Sequence, residues 1–500
     1  NEAVRDQSAA AMMDRSSLFI ESMADDGHLA STSAQMQLHM RQMPVWGAVV
    51  NSIAFMAVPR SIPACFAATG WTIGIGSLFY SSIVTYDTGL LLGQVCNALP
   101  ANSVCSFPAL AAHASERFAC HRNWSRSAQR RARKVGHVAI ACLQYSCYYL
   151  TGVAELIYFE QYLGQYFSLS PLCQWQWLLL VGVISLPVVQ VPSFHATRIA
   201  AVALGVLPLV LNVGVMLYEI ALVRPWDCAP GPSYTAWPSL SRGFVGLTAF
   251  AYAFGGHGLY PDQIREMRQP ARWPSVMAWT YAATVPLYWL CGLLGYYAYG
   301  DFSKANINLN FPDNPANKLS IAVQALQEFF FILDSDLVVM LAIELAVGLD
   351  PSTCCAPTWH PRTWRRGLPP WLGRLGLRSA FLASQVFCAQ MLLSGEGDTL
   401  LSLQALTASV GMVAFTYFLP YVFALLLSPT PLGPWRKAWA GVNIAIGLAM
   451  AVGGFGSSLG ELLEGSTGLF NGDCKLQWAY APQSPGDPCN LSGIPSEGGI

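Results

Sequence analysis

The sequence is short of charge. Lys, Arg, Asp and Glu make up 11% of its 500 residues, where a soluble globular chain carries about a quarter. Its hydrophobic fraction is 53% and its mean hydropathy +0.39. So few charges cannot coat a water-exposed surface, which places the chain in a lipid bilayer. Excess charge of one sign is missing too. A formal net charge of −1 gives no electrostatic grip on nucleic acid, so nucleic acid is excluded as a partner. No CxxC pair occurs among the fourteen Cys, which removes zinc-ribbon and thioredoxin readings. Cys65, Cys142, Cys147, Cys291 and Cys388 lie within apolar runs and are read as small hydrophobes. No HExxH motif and no P-loop is present, so neither an enzyme nor a cofactor is expected. Nor does any filter-like repeat suggest a channel. Residues 1–42 are polar and rich in Met and Ser, without a short apolar core before a small-residue cleavage site. A cleaved signal peptide is therefore not expected, and insertion would rely on the first membrane helix.

Long apolar runs, by contrast, are plentiful. A helix needs roughly 20 mostly apolar residues to cross a bilayer. Eleven windows qualify: 43–68, 70–97, 135–163, 175–192, 199–222, 243–263, 274–299, 319–348, 379–395, 400–427 and 438–460. The first two meet in a tight turn at Thr69, Gly70 and Trp71. Eleven spans put the termini on opposite sides, and Lys and Arg choose the inner one. With the N-terminus inside, 21 basic residues fall in inner segments and five in outer ones, while Arg60 lies within a span. The densest inner cluster, Arg126 to Lys134, fits that pattern better than it fits a nucleic-acid patch. The expectation is a cytosolic N-terminal tail (1–42), an extracellular C-terminal tail (461–500) and residence in the plasma membrane. Cys173, Cys228, Cys474 and Cys489 would lie outside, where disulfides are permitted and sequence cannot pair them. The sequon at Asn490 would also be outside, and the sequon at Asn123 inside and unused.

Two windows are interrupted. The first carries Pro59 and Pro63, which remove two backbone donors mid-span. The sixth reads Ala253-Phe254-Gly255-Gly256-His257-Gly258-Leu259-Tyr260-Pro261, a poor helix former. Secondary transporters place substrate sites where one helix of each inverted repeat is broken, because a break frees backbone groups that lipid cannot satisfy. If 43–222 and 243–427 are two five-helix repeats and 438–460 an extra helix, the two breaks occupy equivalent positions.

At these residues the chain resembles the amino acid/auxin permease family. Phe254 to Gly258 with Pro261, Glu266, Met267 and Pro270 is similar to that family's sixth helix, and Ser61 to Phe66 with Gly70 and Trp71 to its first. Val191 to His195 with Arg198 and Ile199 resembles the 4–5 loop of plant auxin influx carriers, as does the tail from Gly453 to Cys474. The likeness spans roughly residues 45–475. It implies an all-α, LeuT-like membrane fold of eleven helices with the first and sixth broken. It also implies proton-coupled import of an amino acid or an auxin-like aromatic carboxylate. The chain departs from the family pattern at Met56-Ala57-Val58, at Arg60, and at Asp334 and Asp336.

Ionisable groups deep in a span cost roughly 2.5–3.5 kcal/mol on insertion scales, so each must face a cavity or a partner. Arg60 would either grip a substrate carboxylate with its forked donors or pair with an acid such as Asp334 or Glu155. His257, inside the second break, would carry the coupled proton, bind substrate, or serve as a structural hydrogen-bonder. Asp334 and Asp336 point roughly 200° apart on a helix, so one at most faces a given cavity. Either could hold a proton or sodium. Gln144, Tyr148 and Glu155 share one helix face, as interhelical hydrogen-bonders or as part of the site. Asp87 and Glu344 would anchor at interfaces. Ser52, Met56, Ala57, Val58, Arg60, Gln144, Tyr148, Phe254, Gly255, Gly256 and His257 are thus the candidate substrate-binding residues. His257, Asp334, Asp336 and Glu155 are the candidates for coupling. A sodium-coupled transporter and a non-transporting solute sensor remain the alternatives.

Overall fold

The computed structural model of the chain describes residues 43–56, 58–99, 105–168, 170, 172–191, 201–227, 232–347, 370–393, 399–429 and 431–465. Among these residues no β-strand occurs, and helices carry nearly all of them. Physics favours this: a helix satisfies its own backbone groups where lipid offers no partner.

Helix α1 (Val45–Phe55) is separated by a 3-10 turn at Pro59–Ser61 from α2 (Ile62–Ala98). Next come α3 (Phe107–His121), α4 (Arg126–Tyr166), α5 (Gln174–Ser185) and a π-helical turn at Ala201–Val206 that runs into α6 (Leu207–Val223). Then α7 (Leu240–Ala253), a 3-10 turn at Gly255–Leu259 and α8 (Tyr260–Glu266) form a second interrupted rod, followed by α9 (Trp273–Tyr299) and α10 (Pro315–Val347). The last described helices are α11 (Pro370–Leu392), α12 (Thr399–Thr407), α13 (Leu419–Leu427) and α14 (Pro434–Gly465). Among the described residues, four stretches are long and apolar enough to cross a membrane: Val45–Ala98, Val202–Leu222, Pro270–Phe302 and Pro434–Glu464. A pair bent by 45°, Leu400–Met412 with Ala414–Leu427, makes a fifth. Other helices, such as α4 and α10, carry buried carboxylates that lower their mean hydropathy, because their polar residues face protein rather than lipid.

Gly70 divides α2. Its φ of 72° and ψ of 175° belong to a region essentially reserved for glycine. A Cβ there would stand 2.5 Å from the Thr235 carbonyl oxygen. Close packing then holds the first break in place. Gly246 of α7 meets the Ala68 and Thr69 side chains and the Cys65 carbonyl, and Gly292 and Gly295 of α9 meet Ile62, Phe66 and Pro63. Small residues let membrane helices approach this closely.

Several details depart from the sequence reading. The stretch read as a charged loop before residue 135 contains α3, which buries Phe107, Leu110, Ala111 and Ala114 against the bundle. Helix α11 begins nine residues before its window, at Pro370. Its Arg378 is 1% exposed. Arg378 donates from Nε to Glu344 (2.6 Å) and from Nη1 to the Val189 and Val191 carbonyls (2.7 and 2.6 Å). Neutralised in this way, an arginine can enter the bundle. Asp87 sits among Arg436, Tyr421 and Trp439. Cys65, Cys147 and Cys291 are buried, whereas Cys142 is exposed and Cys388 half-buried. A disulfide joins Cys96 to Cys105, a pairing the sequence did not suggest. Cys173 is disulfide-bonded, and Cys228, Cys474 and Cys489 lie outside the described residues.

Candidate functional site

The two interrupted rods lie side by side, and their breaks meet. Pro59 lacks the N–H that would have continued α1, so carbonyls at its end need other donors. Tyr288 of α9 supplies one. Its hydroxyl reaches the Met56 carbonyl of the first break and the Ala253 carbonyl of the second, 2.6 Å away. A hydroxyl has one proton, so the two carbonyls share it. Phe254 packs edge-on against the same tyrosine ring, with centroids 4.9 Å apart. Gln144 of α4 donates from Nε2 to the Gly258 carbonyl at 3.0 Å, which satisfies the second break. Gly258 leaves room for the Tyr148 hydroxyl, which a Cβ at that position would strike.

Between the breaks lies a cavity. Phe55 and Val58 close it on the first rod, Gly255, Gly256 and Leu259 on the second. Tyr148, Thr151 and Glu155 of α4 form another wall, with Tyr252 of α7 and Met412 completing it. Phe331, Asp334 and Ser335 come from α10. The cavity volume is about 40 Å³, enough for about three or four waters at about 10–15 Å³ each. Asp334 is 1% exposed, and neither of its carboxylate oxygens has a hydrogen-bond partner among the described residues.

Beside this cavity stands a buried ion cluster. Arg60, 2% exposed, donates from Nη2 to Glu155 Oε2 at 2.9 Å and from Nη1 to Glu328 Oε1. Its guanidinium carbon lies 3.8 Å from the centroid of the Tyr158 ring. The Tyr252 hydroxyl donates to Glu155 Oε1 at 2.6 Å. Glu155 therefore belongs both to the cluster and to the cavity wall.

The remaining candidates disperse. Ser52 donates to Gln263 Oε1 of α8 at 2.8 Å and ties the two rods together rather than lining the cavity. Met56 is buried, its sulfur 3.4 Å from the Tyr260 hydroxyl. Ala57 lies outside the described residues. His257 turns away from the cavity toward α2, with Nε2 2.8 Å from the Thr85 carbonyl and 3.2 Å from Thr88 Oγ1. Asp336 accepts from Gln385 Nε2 of α11 at 2.7 Å, on the side of α10 away from Asp334. Arg60, left between a substrate carboxylate and an acid partner by the sequence, has both Nη groups on glutamates. Glu328 escaped the sequence reading, although it stands nine residues into the 319–348 window and so had the same mark of depth as Asp334. Tyr252, Tyr288, Phe331 and Met412 escaped because apolar or aromatic residues in a span carry no sign of which face they serve.

A second tie between the rods is made by the backbone. Met43 N donates to the Glu266 carbonyl and Arg268 N to the Met43 carbonyl, both at 2.9 Å. A G-x-S-x-G string at residues 456–460 lies inside α14, where Ser458 donates to the Gly454 carbonyl at 2.6 Å. That is a helix interior, not the strand-to-helix elbow of a hydrolase nucleophile.

The family model described as transmembrane amino acid transporter protein matches residues 60–459. The chain belongs to this family of membrane transporters. It is a multi-pass integral membrane protein and not an enzyme. It is similar to GABA transporter 1 of Arabidopsis thaliana, with 22% identity over 381 residues that cover 73% of this chain and 78% of that protein. Among solved structures it is similar to Mhp1, a nucleobase-cation-symport-1 family transporter in a closed conformation with bromovinylhydantoin bound. The TM-score is 0.49 at 11% identity, covering 85% of this chain and 92% of that one. It is also similar to MhsT in complex with L-phenylalanine, with a TM-score of 0.46 at 10% identity and coverage of 82% and 98%.

Proposed function

We propose that this member of the family is a proton-coupled secondary transporter that imports an amino acid by alternating access at the cavity between the two breaks. Its architecture on this reading is LeuT-like, two inverted five-helix repeats and an eleventh helix, with the N-terminus cytosolic in the plasma membrane. The observation that carries the proposal is the buried Asp334 carboxylate, without a hydrogen-bond partner among the described residues and facing the cavity between two interrupted rods. A substrate ammonium group would complete it, and the backbone groups freed at the breaks suit the substrate carboxylate. An auxin-like aromatic carboxylate lacks the ammonium and would bring a second negative charge to Asp334, so the amino acid is the better fit. The ties from Met43 to Glu266 and Arg268, and from Ser52 to Gln263, close the cavity on the side assigned to the cytosol. Import then requires them to part while the opposite side closes. A cavity this small must also widen to admit a whole amino acid.

The test is uptake into proteoliposomes of the individual amino acids, γ-aminobutyrate and indole-3-acetate. An inward proton gradient should raise uptake of an amine-bearing solute, an uncoupler should remove that gain, and Asp334→Asn should abolish it. Uptake indifferent to the gradient rejects proton coupling. Dependence on sodium instead would make Asp334 a cation ligand, and binding without uptake would make the chain a sensor.

A further inference from the structure

The ion cluster beside the cavity does not balance. Arg60 contributes one positive charge, Glu155 and Glu328 two negative ones, and all three side chains are at most 2% exposed. An excess negative charge at this depth is expensive, and a bound proton removes it. The hydrogen bonds indicate which carboxylate takes the proton. Glu155 is complete as an anion, since Oε1 accepts from Tyr252 and Oε2 from Arg60. Glu328 Oε1 accepts from Arg60, but Oε2 has no hydrogen-bond partner among the described residues.

We propose that Glu328 Oε2 is the site of the transported proton. This rests on the proton-coupled reading above and moves the coupling role to a residue outside the cavity wall.

The surroundings suit the task. Tyr158 and Tyr162 of α4 face the guanidinium, and Tyr162 donates to Gln324 Oε1 at 2.7 Å. On its other flank α10 meets the segment before α6 through a neutral contact, Gln327 Nε2 to the Gly205 carbonyl. Glu160 lies five residues beyond Glu155, roughly 140° around α4. Asp334, on the same helix as Glu328, belongs to the cavity. Among the described residues, Arg60 and Glu155 are thus the charged groups that set the proton affinity of Glu328. Glu155 also connects it to the substrate, because its carboxylate forms part of the cavity wall. Protonation is simple addition of H⁺ from water at one side of the membrane to Oε2. Release returns it to water at the other side.

The experiment needs no solute. The full-length chain in lipid nanodiscs is titrated while infrared spectroscopy follows the C=O stretch of protonated carboxyl groups. Other buried acids contribute to wild type and variant alike, so the difference between them isolates Glu328. Glu328→Gln should lose one titrating carboxyl band. An unchanged set of bands overturns the proposal. If Glu328→Gln does not fold, Glu328→Asp keeps the acid and must move the midpoint of that band, and an unmoved midpoint overturns it equally. In liposomes, Glu328→Gln should retain counterflow of a radiolabelled mixture of the proteinogenic amino acids. Its accumulation under an inward proton gradient should fall to the level reached without one. Wild-type accumulation in this variant defeats the proposal. Absence of transport by the wild-type protein, with the band present and lost on substitution, rejects the transport reading and leaves the proton site standing.

Discussion

Arg60 illustrates how much one buried charge commits a structure to. Its guanidinium stacks on Tyr158 and holds two carboxylates. Removing it would leave both acids without their cation in a low-dielectric interior. Arg60→Ala is therefore expected to lose stability by about 3–5 kcal/mol, the usual consequence of breaking a buried pair from one side. The measurement is the thermal unfolding midpoint in detergent, and a wild-type midpoint would reject the cluster. Asp334 behaves in the opposite way. Among the described residues no group bonds its oxygens, so Asp334→Asn should fold with an unchanged or higher midpoint while losing uptake. The two substitutions separate a group that holds the fold from a group that waits for a ligand.

Among the elements, the interrupted rods derive their shape from residues that cannot continue a helix and from neighbours that accept the result. Pro59 ends one run of hydrogen bonds, and Tyr288 receives the carbonyl left over. Gly255, Gly256 and Gly258 end another, and Gln144 serves the Gly258 carbonyl. Tyr288→Phe removes the donor common to both breaks. A loss of about 1–3 kcal/mol is expected, as for other buried acceptors left without a donor, together with weaker solute binding. Equal stability of Tyr288→Phe and wild type would contradict the role given to the hydroxyl. Gly70 shapes α2 in a different way, through a conformation that only glycine adopts easily. Gly70→Ala meets both that strain and the Thr235 carbonyl. A cost of at least about 1–3 kcal/mol follows, readable as a lower unfolding midpoint.

For the molecule as a whole, the orientation proposed from Lys and Arg has a direct test. Expressed with microsomes, the chain should gain one glycan at Asn490 and none at Asn123, seen as a single endoglycosidase-sensitive shift on a gel. Modification at Asn123 would reverse the orientation. It would then place the ties between Met43, Glu266 and Arg268 on the external side, so that the cavity is closed to the outside rather than to the cytosol.

The scarcity of charge and the apolar windows are local properties, so the sequence alone determined a helical membrane protein, and the breaker residues near 59 and 255 are where it proposed two interruptions. The angle between Asp334 and Asp336 was likewise legible, because helical geometry places residues two apart on different faces. What periodicity cannot supply is the neighbour that each face meets. His257 looked like a site residue from its setting among glycines, yet its imidazole bonds to Thr85 and Thr88 of α2. Glu328 escaped the sequence reading, yet it shares Arg60 with a glutamate from a helix more than a hundred residues away in the chain. Only the packing of the Pro59–Ser61 turn against α4 and α10 decided which carboxylates meet a cation and which faces the cavity, because charge pairing in a low-dielectric interior depends on distances across helices.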